Sequence, residues 1–373
     1  MTNSPMTECP VSTYDEWGRL REVIVGDFRN YTIPKRLDDV ELSFRSFYHD
    51  NIFRGVHNLQ KYKLNVYAED MDVYPEQVEE ERAEDLDNIA ALLESLDIVV
   101  KRPLPMTEIK EIQTPDWVNV TTPCGNVRDQ FLVIGDEIIE TSPMMRGRYF
   151  ENDHVKHLFL DYFRRGARWT VAPRPRMLEE SFDRSYFDGN EPGFDEDNFE
   201  IMFDGAQCLR LGTDILFNVS TRNHVLGAMW LQRHLGERYT VHQVRFTDHH
   251  IDGVLLPLRP GTFLIHRRIQ EKRDELLPPA LQKWDAIVFA DEPAGTAADE
   301  EALLASKSIN MNVFSIDEDR VLINKNAVNT MRALERAGLT PVPAQLRHSR
   351  LYAGAFHCST LDIRRDGGLE SYL

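Results

Sequence analysis

The chain has 373 residues, of which 42% are hydrophobic and 28% are charged, and its formal net charge is −18. With 43 basic residues against 61 acidic ones, it lacks the positive charge that nucleic-acid binding requires. No apolar run approaches the roughly 18–20 residues of a membrane-spanning helix, and the N-terminus lacks the basic start and apolar stretch of a signal peptide.

The N-terminal part of the chain predicts two strands with a helix between them. Arg21–Val25 and Ile98–Lys101 are short apolar runs of the kind that forms strands. Between them, apolar residues recur at helical spacing. They mark one face of a helix and are Leu86, Ile89, Ala90, Leu93 and Leu96.

From Gln130 onward, the same order of elements repeats four times: a hairpin, a helix and a further strand. Turn residues between alternating apolar runs indicate the hairpins at Gln130–Thr141, Cys208–Ser220, Gly253–His266 and Asn310–Asn324. Helical spacing predicts helices near His154–Arg165, at Val225–Leu235, after the third hairpin and at Val328–Ala337. The closing strands are predicted at Trp169–Pro173, Tyr239–Phe246, Ala286–Ala290 and near Pro341–Leu346.

A C-terminal strand at Ser359–Arg364 completes a fifth unit with the N-terminal elements. If this strand pairs with the N-terminal strands, the ring closes and leaves no sheet edge open. The sequence therefore predicts an α/β fold, a propeller of five pseudo-symmetric ββαβ units, as a single domain over residues 1–373. Periodicity alone also allows a three-layer α/β sandwich with an open sheet. The irregular, polar stretch Phe182–Glu200 is expected to be a surface loop.

Polar residues that can take part in chemistry recur just before the first strand of each unit. In a closed ring of similar units, equivalent positions meet at the axis, so residues far apart in sequence would share one pocket. These residues are Asp129, Asp204, His250 with Asp252, Ser306 and Cys358.

Cys358 is the candidate nucleophile. Small residues precede it in Ala353-Gly354-Ala355, which leaves room for a substrate to approach the sulfur. A thiolate attacks the central carbon of a guanidinium well. Cys208, within an alternating strand, fits the role of a small buried apolar residue better. The four cysteines show no CxxC spacing, which predicts reduced thiols in a cytoplasmic protein rather than a disulfide scaffold or a zinc finger.

His250 is the candidate proton carrier. If the segment around it is extended, His250 and Asp252 project to one face and His249 to the other. Asp204 is the candidate carboxylate partner of His250, which would give a Cys/His/Asp set from three regions of the chain. No third ligand lies at a characteristic spacing from His250 and Asp252, so no metal site is predicted.

At these residues the sequence resembles the amidinotransferase family that includes the glycine and inosamine-phosphate amidinotransferases. The resemblance runs from about Asp15 to Leu373, and several spaced motifs in family order make it specific. They are Gly135-Asp136-Glu137-Ile138-Ile139-Glu140, Arg146-Gly147-Arg148-Tyr149-Phe150, Phe203-Asp204-Gly205-Ala206, His250-Ile251-Asp252 and Phe356-His357-Cys358-Ser359-Thr360-Leu361-Asp362-Ile363-Arg364-Arg365. The part from His348 to Tyr372 is most similar to the aminocyclitol-phosphate branch.

The resemblance implies the five-unit propeller, a fold of the pentein type, and a ping-pong reaction without a cofactor. In that reaction the amidino group of L-arginine passes to an amine acceptor through an amidino-cysteine, and ornithine is released. The resemblance assigns Cys358 as the nucleophile, His250 as the proton shuttle and Asp204 as its partner. It is also compatible with a homodimer.

The resemblance further implies how the donor is held. Asp129 and Asp252 match the carboxylates that hold the guanidinium, and Ser306 matches a position that binds the donor's α-carboxylate. Arg268 is the nearest candidate for the family's carboxylate-binding arginine. The expected acceptors are an aminocyclitol phosphate, lysine or glycine, in the biosynthesis of specialised metabolites.

Three departures from the family pattern accompany the resemblance. Val127 stands where the family often has proline, residues 28–80 match poorly and are expected to form a lid or a partner surface, and Phe246–His249 is shorter than in the glycine enzymes. This last segment lies beside the expected site, so its length affects which acceptor can bind.

Two other functions stay open: a guanidine hydrolase or deiminase, and a non-catalytic propeller that serves as a binding module.

Overall fold

The computed structural model describes residues 9–31, 74, 76–183, 198–290 and 308–373. The strands are β1 Leu20–Val25, β2 Val99–Lys101, β3 Glu111–Gln113, β4 Val118–Val120, β5 Phe131–Ile134, β6 Glu137–Glu140, β7 Arg168–Val171, β8 Cys208–Leu211, β9 Asp214–Asn218, β10 Thr240–Val244, β11 Leu255–Arg259, β12 Thr262–Ile265, β13 Asp285–Val288, β14 Phe314–Ser315, β15 Arg320–Asn324, β16 Thr340–Ala344 and β17 Thr360–Arg365. The helices are α1 Glu76–Glu94, α2 Val127–Gln130, α3 Lys156–Arg164, α4 Arg222–Leu235, α5 Arg267–Gln270, α6 Arg273–Leu276 and α7 Val328–Arg336. Short 3₁₀ turns lie at Arg146–Arg148, Glu151–His154, Glu179–Ser181, Gly205–Gln207, Gly236–Arg238, Ile251–Gly253, Leu281–Lys283 and Ile309–Met311.

Five three-stranded sheets repeat one arrangement within the described ranges. In each, the middle strand pairs antiparallel with one neighbour and parallel with the other. The strand orders are β17-β1-β2, β5-β6-β7, β8-β9-β10, β11-β12-β13 and β14-β15-β16. The predicted five-unit ββαβ propeller is therefore confirmed, and the open-sheet sandwich is wrong.

The C-terminal strand closes the ring. β17 pairs antiparallel with β1, with Val23 opposite Asp362, and β1 pairs parallel with β2. The segment that precedes β1 contacts the hairpin turns of two other units. Thr13 exchanges two backbone hydrogen bonds with Gly135 in the β5–β6 turn, and Tyr14 accepts one from Gly212 in the β8–β9 turn. Residues from the N-terminal and C-terminal parts of the described chain are thus built into the same ring.

The strands that begin each unit are buried because both of their faces are covered. All four residues of β5, Phe131–Ile134, and all four of β8, Cys208–Leu211, are buried. Their nearly continuous apolar runs are typical of strands that pack on both sides. Helix α1 buries Leu86, Ile89 and Leu93 on the apolar face that the sequence predicts.

Charged residues also lie inside the ring. Asp362 on β17 accepts hydrogen bonds from Arg128 Nη2 at 2.5 Å, Arg210 Nη2 at 2.7 Å and Arg365 Nε at 2.8 Å. Arg210 also donates to both oxygens of Glu16, each at 2.8 Å. All five side chains are buried. Burial alone would raise the pKa of Asp362, but the three arginines hold it well below its usual range. We call these five residues the inner ion network.

The structure also contains elements that the sequence pattern did not indicate. The hairpin β3–β4 lies outside the repeat, and α2 is a single helical turn directly before β5. Most of Phe182–Glu200, and residues 32–73 and 75 of the poorly matching stretch 28–80, lie outside the described residues. Within the described ranges, none of the helices has the length and apolarity needed to cross a bilayer.

Two glycines in equivalent hairpin turns should respond differently to substitution by alanine. Gly212 (φ +67°) and Gly261 (φ +76°) both adopt left-handed backbone conformations. An added Cβ at Gly261 meets nothing within 4 Å, whereas one at Gly212 would lie 1.9 Å from the carbonyl oxygen of Glu370. We expect Gly261→Ala to cost about 1–2 kcal/mol of unfolding free energy, and Gly212→Ala about 1–3 kcal/mol more because the C-terminal tail must shift.

Urea denaturation of both variants measures this difference. Equal midpoints for the two variants would contradict the close packing of the tail against the β8–β9 turn.

Candidate active site

The segments that precede the first strands of the units meet at one end of the ring. Asp129 lies in α2 before β5, Asp204 lies before β8, His250 and Asp252 lie before β11, and Cys358 lies before β17. One ligand atom each of Asp129, His250 and Cys358 all lie within 4.8 Å of one another. The structure thus brings together these five residues, which are up to 229 positions apart in the chain.

His250 lies between two buried carboxylates. Its Nε2 is 3.0 Å from Asp204 Oδ2, and its Nδ1 is 3.5 Å from Asp129 Oδ1. Burial disfavours the charged imidazole, but the carboxylates of Asp129 and Asp204 outweigh that effect and raise the pKa of His250 to about 9. The histidine is therefore an imidazolium at neutral pH and can donate a proton.

The extended geometry expected around His250 is wrong. Residues Ile251–Gly253 form a 3₁₀ turn, and His250 is the residue before its first position. Alternation along a strand therefore does not explain which side chains face the cluster. His249 instead lies beside Gly253, and its Nδ1 is 3.3 Å from the backbone carbonyl oxygen of His250. His250 and Asp252 face the cluster because the turn directs both of them there.

Cys358 is held by Asn312 and faces Asp252. The Asn312 side-chain amide donates to the sulfur at 3.2 Å, and its carbonyl oxygen accepts from the backbone N–H groups of Cys358 and Ala355. The thiol donates to Asp252 Oδ2 at 3.3 Å. Burial and the charges of Asp252 and Asp129 raise the pKa of Cys358 well above its ordinary value. Without a cation in the site, the sulfur is a thiol.

Arg148 holds Asp129 from the side opposite His250. Its Nη1 donates to Asp129 Oδ2 at 2.6 Å, and its Nε and Nη2 donate to the two oxygens of Glu151 at 2.5 and 2.9 Å. The second oxygen of Asp129, Oδ1, is buried and has no hydrogen-bond partner. Asp129 is thus fixed through Oδ2, while Oδ1 lies 3.5 Å from His250 Nδ1 without forming a hydrogen bond.

Asp252 is fixed by the residue that precedes the cysteine. His357 Nδ1 lies 2.8 Å from Asp252 Oδ2 and His357 Nε2 lies 3.3 Å from Glu16 Oε2. Burial would raise the pKa of Asp252, but the hydrogen bond and charge of His357 lower it to about 2. Asp252 is therefore ionised at neutral pH and negative beside the sulfur.

The atoms of Asp129, His250 and Cys358 are close enough together to hold a metal ion. A metal would need a deprotonated nitrogen of His250, whereas both of its ring nitrogens face carboxylates, at 3.0 and 3.5 Å. The arrangement suits proton transfer beside a nucleophile better than metal binding.

Two further sequence candidates are not placed in this cluster. Ser306 lies outside the described residues. Arg268 lies on α5 with an exposed side chain, and its charge contributes to lowering the pKa of His249, after burial as the main cause. Its backbone N–H donates to His266 Nδ1.

Three residues of the site were missed by the reasoning from sequence. Arg148 and His357 lie inside motifs that carry the family resemblance, and His357 directly precedes Cys358 in the sequence. Membership of these motifs could have identified both residues as candidates for the site. Asn312 lies in no such motif, and its contact with Cys358 spans 46 positions. No pattern in the sequence indicates that contact.

Several proteins are similar to this chain over nearly its full length, although no protein-family model matches it. L-arginine:L-lysine amidinotransferase of Pseudomonas savastanoi pv. phaseolicola is 33% identical over 98% of this chain and 97% of that protein. Mitochondrial glycine amidinotransferase of Xenopus tropicalis is 32% identical over 100% of this chain and 87% of that protein. The solved structure of inosamine-phosphate amidinotransferase from Streptomyces griseus is 33% identical and superposes with a TM-score of 0.81, covering 98% of this chain and 99% of that one.

The ionisation of Cys358 should depend on Asp252. Because the charge of Asp252 and its contact with the sulfur raise the pKa of the thiol, Asp252→Asn should lower that pKa. In the protein without substrate, alkylation of Cys358 by iodoacetamide should then rise at lower pH than in the wild type. Peptide mass spectrometry after timed alkylation at several pH values measures this.

Asp248→Asn is the matched control, since Asp248 belongs to the same segment and lies beside His249 instead. An unchanged or upward-shifted alkylation profile for Asp252→Asn would show that Asp252 does not control the thiol.

Proposed function

The chain belongs to the amidinotransferase family, whose members are transferases of amidino groups, and we propose that it acts on L-arginine. In this proposal the amidino group passes through a covalent adduct on Cys358 to an amine acceptor, and ornithine is released. The observation that carries the proposal is the cluster of Cys358, His250 and Asp129 within 4.8 Å, with Asp204 behind the histidine.

Asp129 and Asp252 are the proposed ligands of the guanidinium. A planar guanidinium is held best by carboxylate oxygens that accept its N–H groups. Asp129 Oδ1 is buried without a hydrogen-bond partner, and Asp252 Oδ2 lies 3.3 Å from the sulfur. A guanidinium between these two carboxylates would present its central carbon to Cys358.

The bound cation would also activate the nucleophile. The pKa of Cys358 is raised because the buried thiol faces negative charges, and a guanidinium placed among them offsets those charges. The thiol then releases its proton to solvent, and the thiolate attacks the central carbon. His250, protonated beforehand, gives its proton to the departing nitrogen of arginine, and the C–N bond breaks. Ornithine leaves, and the amidino group remains on sulfur.

The second half of the reaction reverses these roles. An acceptor enters as a free amine and attacks the carbon of the amidino-cysteine. His250, now neutral, takes a proton from the attacking nitrogen, and the C–S bond breaks to return the thiolate. Asp204 keeps the imidazole oriented in both halves, since it contacts Nε2 at 3.0 Å. One histidine thus serves both half-reactions.

Three kinds of amine are candidate acceptors. The relatives are named for transfer to lysine, to an inosamine phosphate and to glycine, so we propose an amine of one of these kinds, in specialised metabolism. Ser306 and Arg268 are proposed to bind the α-carboxylate of the donor. We further propose a single catalytic domain that needs no cofactor, a cytoplasmic location consistent with four free cysteines, and a homodimer.

The products distinguish this reaction from hydrolysis. The protein is incubated with arginine alone and with arginine plus lysine, glycine or an aminocyclitol phosphate, and ornithine and citrulline are quantified. Transfer gives ornithine together with a guanidinated acceptor. Citrulline would instead indicate that water takes the place of the acceptor and would overturn the proposal.

Arginine alone should leave an amidino group on Cys358. Intact-mass spectrometry, followed by peptide mapping, should locate the added mass on that residue. Cys358→Ala should lower the transfer rate by roughly 10⁴-fold or more, because the nucleophile and the base act as a unit. Cys208→Ala is the control and should stay active, since Cys208 is buried within β8. An adduct on Cys208, or continued turnover by Cys358→Ala, would contradict the assignment.

His250→Asn should abolish transfer while the protein stays folded, whereas His249→Asn should have a mild effect. Of these two histidines, His250 contacts Asp204 and Asp129 with its ring, while His249 lies against Gly253. Steady-state rates of both variants, with circular dichroism to establish folding, measure the difference. An inactive His249 variant beside an active His250 variant would remove the proton-shuttle assignment.

The raised pKa of His250 gives a pH dependence for the first half-reaction. His250 must be protonated to release ornithine, and protonated imidazole is lost as pH rises through about 9. Formation of the amidino-cysteine, measured in single turnover, should therefore fall above about pH 9. A fall centred near pH 6.5, the ordinary value for histidine, would show that the two carboxylates do not hold the proton.

A further inference from the structure

His357 occupies an unusual position between two carboxylates. Its side chain is 3% exposed, its Nδ1 is 2.8 Å from Asp252 Oδ2 and its Nε2 is 3.3 Å from Glu16 Oε2. It immediately precedes the nucleophile, yet the reaction proposed above gives it no step. The ring of Phe314 also packs near it, with centroids 6.3 Å apart.

The contacts with Asp252 and Glu16 determine the charge of the His357 imidazole. An ionised carboxylate can only accept hydrogen bonds, so a nitrogen that faces one must carry a proton. Glu16 accepts hydrogen bonds from Arg210 at both of its oxygens, each at 2.8 Å, and Asp252 Oδ2 accepts one from the Cys358 thiol at 3.3 Å, so both side chains act as carboxylate acceptors. Only an imidazolium has a proton on each nitrogen, and a neutral ring would leave one lone pair facing a buried negative charge.

Glu16 is itself held by Arg210. Arg210 donates to both of its oxygens at 2.8 Å, and Arg210 is in turn bound to Asp362 in the inner ion network. One end of His357 is therefore anchored to a buried set of charges, and the other end reaches the carboxylate beside the sulfur. Motion of Asp252 would have to break a charge-assisted hydrogen bond to a group that cannot follow it.

We propose that His357 is a positioning residue for amidino transfer: as a buried imidazolium anchored on Glu16, it keeps Asp252 ionised and aimed at the guanidinium. This inference rests on the proposed function, in which Asp252 holds the donor. His357 touches neither the donor nor the transferred group in this arrangement and acts only through Asp252.

The bond to Asp252 has a consequence for pH dependence. Among the described residues, the charged or titratable groups that act on Asp252 are His357, His250 and Cys358, and Asn312 adds a neutral hydrogen bond. Burial raises the pKa of Asp252, and the hydrogen bond from His357 is the largest influence that lowers it, so the loss of that bond should raise the pKa of Asp252. The acid limb of kcat/KM for arginine should then move to higher pH, because protonated Asp252 no longer attracts the guanidinium.

Two substitutions of His357 distinguish the role of its Nδ1 from that of its Nε2. The amide nitrogen of asparagine lies about where imidazole Nδ1 lies, and that of glutamine about where Nε2 lies. His357→Asn should keep the donor to Asp252, with kcat/KM for arginine within about tenfold of the wild type. His357→Gln should lose roughly 10–100-fold, mainly through KM, with its acid limb shifted upward. Equal losses and equal acid limbs in both variants would overturn the proposal.

A spectroscopic measurement on the wild type does not depend on activity. With ¹⁵N-labelled histidine, both ring nitrogens of His357 should give imidazolium shifts at pH 7, and either variant identifies the resonances. A ring that is neutral at pH 7 would overturn the inference, even if neither variant can be assayed. A wild type that makes no ornithine from arginine would instead count against the proposed function, whatever the NMR spectrum shows.

Discussion

The structure depends on a buried carboxylate, Asp362, that faces three arginines. Breaking a buried ion pair typically costs about 3–5 kcal/mol, because the remaining charge is left without a partner or solvent. Asp362 therefore draws Arg128, Arg210 and Arg365 together from different parts of the chain. Arg128 also donates through Nε to the backbone carbonyls of His357 and Thr360, on either side of Cys358. The charges that hold the ring together thus also shape the turn that carries the nucleophile.

The site next to this network is prepared for a cation. Cys358 faces the carboxylates of Asp252 and Asp129, which raise the pKa of its thiol and keep the sulfur protonated while the site is empty. The same carboxylates would bind a guanidinium, whose charge would favour the thiolate. A nucleophile that ionises only beside a cation is protected from oxidation and from neutral electrophiles, since reactivity follows the thiolate. In the proposed reaction, the negative charge near the sulfur would therefore serve substrate selection as well as binding.

Most of the fold could be predicted from the sequence because it is encoded locally. Turn glycines such as Gly135 and Gly212 separate the strands of the hairpins, and helical spacing marked α1 and α4. The repeat then placed the residues before the first strands at one end of the ring. Local reasoning failed where a short turn interrupted the expected strand, as at Ile251–Gly253. It also could not predict contacts made only in the folded chain: Arg148 with Asp129, Asn312 with Cys358, and His357 with Asp252.

In the proposed reaction, the amidino group rests on Cys358 between two separate half-reactions. Isotope exchange tests this without knowledge of the acceptor: the protein is incubated with arginine and labelled ornithine, and no other amine is added. If ornithine leaves before the acceptor binds, labelled ornithine can attack the amidino-cysteine, and the label should appear in arginine for the wild type but not for Cys358→Ala. No exchange by a protein that still converts arginine and an acceptor would contradict the covalent two-step account.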